Sequence, residues 1–197
     1  MKLPDVLIKD AAAFKTNMTE LKRLFHVNAS LPEQVFASGF NRFAFEEFDW
    51  AMSDSFWPAI QELAASSQDS SLLMAVLDPD PEGYYMKEFG YYNWARVPVA
   101  VSSEDYWALL EEYPDASPAD SFLVNSERII WLPQSANWAV WGQRSYGVCV
   151  LGCREHLPVD SWHTVEWALD YMANCFQNRI VPSDFAAKLR LNFGAPA

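Results

Sequence analysis

Four stretches of the chain repeat apolar residues at helical spacing. After Asp10, a residue type that caps helix N-termini, Phe14, Met18, Leu21 and Phe25 recur on one face. Phe45, Phe48, Met52, Phe56, Ile60 and Leu63 predict a second helix, which Pro58 must kink or split. Ser102 or Ser103 opens a third, with Glu104 and Asp105 in the first turn, where the helix dipole favours acids. Tyr106, Leu109, Leu110 and Tyr113 follow, and Pro114 stops it. Val165, Ala168, Leu169, Met172, Cys175 and Phe176 predict a fourth helix after a cap at Asp160 or Ser161, and a short fifth is expected after Ser183.

Short runs rich in β-branched and aromatic residues predict strands over 72–77, 96–101, 121–125, 128–132, 138–141 and 146–151. Pro98 marks the second as an edge strand or a bulge, because proline cannot donate to a ladder. Turn-sized gaps join the last three, which predicts an antiparallel meander. Helices before and after a clustered sheet give an α+β class: an antiparallel sheet of about five or six short strands with four or five packed helices. A length of 197 residues, with 51% apolar residues, predicts one domain, 1–197, with a core large enough to need no disulfide or metal staple.

The apolar run at 6–8 is too short for a signal peptide, and three cysteines among apolar neighbours suit buried thiols. A cytoplasmic location is the expectation, with no membrane association and no cofactor. The net charge of −12 is unevenly spread. Residues 44–120 hold sixteen of the 26 acids and only two bases, Lys87 and Arg96, for a net of −14. Such a field repels phosphate backbones, which argues against direct nucleic-acid binding.

Catalytic and metal patterns are weak. Cys149, Cys153, His156 and His163 look superficially like zinc ligands, but on one strand the two thiols stand roughly 13 Å apart. Two core thiols are the better reading. Cys175 with His163 offers a thiol–imidazole pair, yet Cys175 falls on the apolar stripe of the fourth helix. Asp160, Ser161 and His163 bring triad residue types without triad geometry. The acid pairs Glu46/Glu47, Glu104/Asp105 and Glu111/Glu112 are sequence neighbours, which do not face each other on a helix.

Two segments stand out. Residues 78–94, DPDPEGYYMKEFGYYNW, interleave acids with aromatic rings in a stretch whose prolines and Gly83 indicate a loop. Tyrosine gives large, stiff, amphipathic contact area. Asp78, Asp80, Glu82, Tyr84, Tyr85, Glu88, Tyr91 and Tyr92 are therefore the candidate partner-binding residues, some turned outward and some into the core. The second segment, WLPQSANWAVWGQRSYGVCVLG, places Trp131, Trp138, Trp141 and Tyr146 where they form either a central sheet or a sugar-stacking groove, the sheet being favoured.

In its acidity, its 78–94 segment and this tryptophan-rich sheet segment, the chain resembles the immunity proteins of bacterial polymorphic-toxin systems. The resemblance implies a small, non-catalytic, cytoplasmic α+β protein that caps a toxin domain. The functional expectation is thus an acidic binding protein neutralising a basic toxin by direct contact. A carboxylate-dependent hydrolase and a carbohydrate-binding module are the alternatives.

Overall fold

The computed structural model describes residues 6–114, 117–154 and 161–194. The chain runs α1 (Ala11–Leu24), β1 (Arg42–Glu47), α2 (Phe48–Ala51), α3 (Trp57–Ser67), β2 (Ser71–Asp78), α4 (Lys87–Phe89), β3 (Trp94–Pro98), α5 (Ser103–Glu111), β4 (Arg128–Pro133), β5 (Trp138–Gln143), β6 (Val148–Cys153), α6 (Val165–Met172) and α7 (Ser183–Phe193). The six strands form one sheet in the order β1-β6-β5-β4-β2-β3, and every neighbouring pair is antiparallel. The protein is therefore α+β, with the expected meander β4-β5-β6 at the centre of the sheet.

Helices cover both faces. Leu72, Met74, Val76, Trp131, Val140, Cys149 and Leu151 pack with Trp57, Ile60 and Leu63 of α3 and Tyr106, Leu109 and Leu110 of α5. The alternate residues Leu73, Ala75, Leu77, Ile130, Trp141, Val148 and Val150 pack with Phe14 and Leu21 of α1, Leu169 and Met172 of α6, and Leu189 and Phe193 of α7. An antiparallel sheet usually shows water one face, which gives a polar–apolar alternation. Here both faces are dry, so residues 72–77 of β2 are all buried and the strand reads as a continuous apolar run.

Local chemistry sets the helix ends. Asp10 accepts from Ala13 N at the start of α1, and Ser102 accepts from Asp105 N at the start of α5. The fourth predicted helix is capped instead by Thr164, which accepts from Trp167 N, and Asp160 lies outside the described residues. That helix ends at Met172 and passes into a 3-10 turn, Ala173–Cys175, so the apolar stripe loses phase. Cys175 is accordingly exposed and Phe176 only partly covered, against the expectation that both are core. Leu109, Leu110, Leu169 and Met172 are buried as the stripes require.

Three elements differ from the sequence reading. Residues 42–47 are a strand, which adds β1 to the edge beside β6, and the helical pattern counted from Phe45 begins only at Phe48. Of the two outcomes expected at Pro58, a kink or a split, the split is found: the stretch divides into α2 and α3, and Pro58 sits in the first turn of α3, where its missing N–H costs nothing. Residues 121–125 are a turn: Val124 N bonds to Ser121 Oγ and Asn125 N to Ser121 O, local bonds that compete with a strand ladder. β3 starts two residues earlier than expected and ends at Pro98, on the sheet edge that Pro98 predicted. Residues 6–8 lie along that edge, with Arg96 N donating to Val6 O (2.9 Å) and Ile8 N to Trp94 O (2.8 Å), so the open ladder is blunted.

Candidate partner interface

Segment 78–94 leaves the sheet at the end of β2. Asp78 ends that strand opposite Arg128, and the two form an ion pair at 3.4 Å. Asp80 then caps a π-helical turn, Pro81–Met86, its Oδ1 accepting from both Glu82 N and Gly83 N. This turn sends alternate rings in opposite directions. Tyr85 is buried, its hydroxyl donating to Asn125 O (2.7 Å), whereas Tyr84 is 36% exposed. Tyr84 donates to Asp120 Oδ1 (2.8 Å) and meets Phe89 edge-on at 5.9 Å between ring centroids.

The eight sequence-predicted residues therefore divide. Glu82, Glu88, Tyr84 and Asp80 reach the surface, and Asp78 is partly covered. Tyr85, Tyr91 and Tyr92 belong to the core: Tyr85 and Tyr91 join the α3/α5 layer, and Tyr92 stacks on Phe14 at 3.9 Å and 5°. As they stand they cannot act as contact rings for a partner. Burial pushes the Tyr85 and Tyr91 phenols above their ordinary pKa. Asp80 is committed to its turn, so Asp80→Ala should lower stability by about 0.5–2 kcal/mol in a urea titration. An unchanged midpoint would show that the cap contributes nothing.

Sequence reasoning missed Asp120, Glu112 and Tyr113 as parts of this surface. Asp120 is 5% exposed and accepts from Tyr84, from Asn125 Nδ2 (2.7 Å) and from Ser117 Oγ. Burial raises its pKa, and the three donors outweigh burial, leaving the carboxyl below its ordinary value. A depressed folded-state pKa gives stability that is present above the unfolded Asp value, about 3.9, and lost as pH falls through the folded value. Asp120→Asn should thus be less stable than wild type at pH 7 in urea unfolding, with the gap closing as pH falls below the unfolded Asp value. A gap independent of pH would contradict this role for the carboxylate.

Beside Tyr84 lies an open groove of about 400 Å³, walled by Glu88, Phe89, Tyr91, Glu112, Tyr113 and Lys9. Tyr113 is 50% exposed there. Glu88 pairs with Lys87 at 3.3 Å, whereas the Glu82 carboxylate makes no hydrogen bond or ion pair with any described residue. The groove thus sets the accessible Tyr113 ring beside the carboxylates of Glu88 and Glu112, with Tyr84 packed on its wall residue Phe89, an arrangement suited to cationic side chains that carry long aliphatic stems.

The other candidate sites resolve differently. Trp131, Trp138 and Trp141 are fully buried and Tyr146 is partly covered, so the tryptophan-rich segment is core and not a groove for sugar stacking. Cys149 and Cys153 are buried on one face of β6; burial pushes the first thiol well up and the second to about 12. Both are unreactive as thiolates near neutral pH. His156 and Asp160 lie outside the described residues, and no group of three or more His, Cys, Asp and Glu side chains is placed to hold a metal among the described residues. His163 stacks on Trp167 at 4.2 Å and meets Glu46 at 2.9 Å, and its backbone exchanges two hydrogen bonds with Phe45. That clip ties the approach to α6 onto β1 and accounts for His163 structurally. Burial raises the Glu46 carboxyl above its ordinary pKa, its neighbours offsetting part of that rise.

No family model, curated protein or solved structure matches the chain. No helix among the described residues is long and apolar enough to cross a membrane.

Proposed function

We propose that the chain is a non-catalytic, acidic binding protein that takes a basic protein partner on the Tyr84–Tyr113 surface. The observation that carries this reading is a groove walled by Glu88, Glu112 and the exposed ring of Tyr113, with the exposed Tyr84 ring packed on its wall residue Phe89 and Glu82 exposed on the same turn as Tyr84. Carboxylates outside the groove steer a basic partner in, and the rings provide area that loses water on contact. The negative field originates in the 44–120 window that supplies these acids, whose net charge of −14 exceeds that of the whole chain. In the form offered by the resemblance to immunity proteins, the partner is a basic toxin domain and the bound chain blocks it in the cytoplasm.

The test is co-expression with the toxic product of a neighbouring gene. Wild type should restore growth, and the Glu82→Lys/Glu88→Lys double variant, folded to the same circular dichroism spectrum, should not. Equal protection by both proteins would remove this surface from the account. Failure of the wild type to protect would remove toxin neutralisation.

A further inference from the structure

Arg96 is one of two bases in the acid-rich window, and the structure half-buries it without an acidic partner among the described residues. It stands on β3 opposite Leu73 of β2, on the sheet face covered by α1. Its Nη2 donates to Asn17 Oδ1 at 2.7 Å, the one side-chain hydrogen bond it makes with a described residue. The acids nearest along the same walls are engaged elsewhere. Asp10 caps α1 through Ala13 N (2.7 Å), and Glu20 is held by Arg23 at 2.6 and 3.0 Å. Burial draws the guanidinium's pKa down.

A buried cation is costly unless it is paired, and a guanidinium has five donors to satisfy. Space for a partner adjoins it. Two hollows meet at the Arg96–Asn17 bridge, one of about 220 Å³ against Leu73 and Leu132 and one of about 430 Å³ along Leu7, Lys9 and Ala13. With Oδ1 accepting from Arg96, the Asn17 amide Nδ2 remains a donor on the same wall. Lys9 adds a second positive charge to the larger hollow.

The guanidinium fork matches carboxylate and phosphate alike, but the surroundings distinguish them. Asp10 and Glu20 also line the hollows and disfavour a dianion, whereas Leu7, Ala13 and Leu73 offer an apolar wall. We propose that Arg96, Asn17 and Lys9 form a binding site for a small monocarboxylate with an apolar body, its carboxylate on Arg96 and its body against Leu7 and Ala13. This proposal does not rest on the partner surface, although Leu7 and Lys9 also wall the groove there.

Benzoate is a suitable probe, with benzamide as its neutral counterpart and inorganic phosphate as the competing anion. Titration of the full chain followed by NMR reads the Arg96 Nε–H and Asn17 side-chain amide directly. Benzoate should shift both saturably, benzamide should shift neither, and phosphate should bind on the order of tenfold more weakly. Arg96→Gln should remove benzoate binding while leaving the thermal midpoint unchanged or raised, since it deletes a half-buried charge with no acidic partner among the described residues. Absence of saturable shifts with benzoate, equal shifts with benzamide, or tighter binding of phosphate would each overturn the assignment. A lowered midpoint in Arg96→Gln with benzoate still bound would overturn it too, placing Arg96 in the edge structure alone.

Discussion

Trp131→Ala should lower the unfolding free energy by about 3–5 kcal/mol, the usual range for deleting a fully buried large aromatic side chain. Trp131 lies on the central strand β4 with no solvent exposure and meets the Phe56 ring edge-on at 5.4 Å. Its Nε1 donates to the Tyr106 hydroxyl (3.2 Å), which in turn donates to Ala51 O (2.8 Å), so one side chain links the sheet to α5 and α2. The site is also shaped by an absence. A Cβ on Gly142 would stand 3.0 Å from Phe48, 3.1 Å from Ile129 and 3.1 Å from the Trp131 ring, so the neighbouring strand is left bare there. Gly142→Ala alone should therefore cost about 1–3 kcal/mol through overpacking. Combined with Trp131→Ala it should cost less than the sum, because one of its three close contacts has gone. Urea unfolding of the two single variants and the double variant measures all three quantities. A loss below about 1 kcal/mol for Trp131→Ala would contradict its place at the centre of the core.

The second large effect concerns the partner surface. Tyr84→Ala should weaken partner binding by about 2 kcal/mol or more, acting mainly through faster dissociation. Tyr84 is held in place by Asp120 and Phe89 while its ring remains 36% exposed, so contact does not first require ordering a free side chain. Tyr113→Ala should act in the same direction, since that ring walls the adjoining groove. Binding kinetics of the two variants against the partner separate this role from a steering role, because loss of a ring leaves the association rate nearly unchanged. Unaltered dissociation in both variants would exclude the rings as anchors.

Much of the scaffold was legible because its signals were local. Asp10 and Ser102 announced two helix starts through their own cap bonds, Pro98 marked an edge, and closely spaced β-branched runs marked the meander. β1 was hidden because Phe45 and Phe48 stand three apart in sequence, which imitates a helical face. In the structure Phe45 closes a strand layer against α7, while Phe48 begins α2 on the opposite side of the sheet. The same two-sided covering concealed the fate of the tyrosines. Alternation signals exposure when one sheet face is wet, but here adjacent Tyr91 and Tyr92 feed opposite core layers and neither reaches water freely. Tyr113 and Asp120 joined the surface through tertiary contacts with residues 84–91, which no local pattern encodes.

Association kinetics at two ionic strengths, with the basic partner immobilised and wild type compared with Glu82→Lys/Glu88→Lys, read out steering by the acidic surface. These two acids are exposed and neither caps an element through its side chain, so the reversed variant should keep the wild-type circular dichroism spectrum. Wild-type association should slow markedly as salt is raised. The variant should associate on the order of tenfold more slowly at low salt and with a flatter salt dependence, its dissociation rate little changed. Coincident association rates for the two proteins at both salt concentrations would contradict the account and leave the acidic window as a solubilising surface alone.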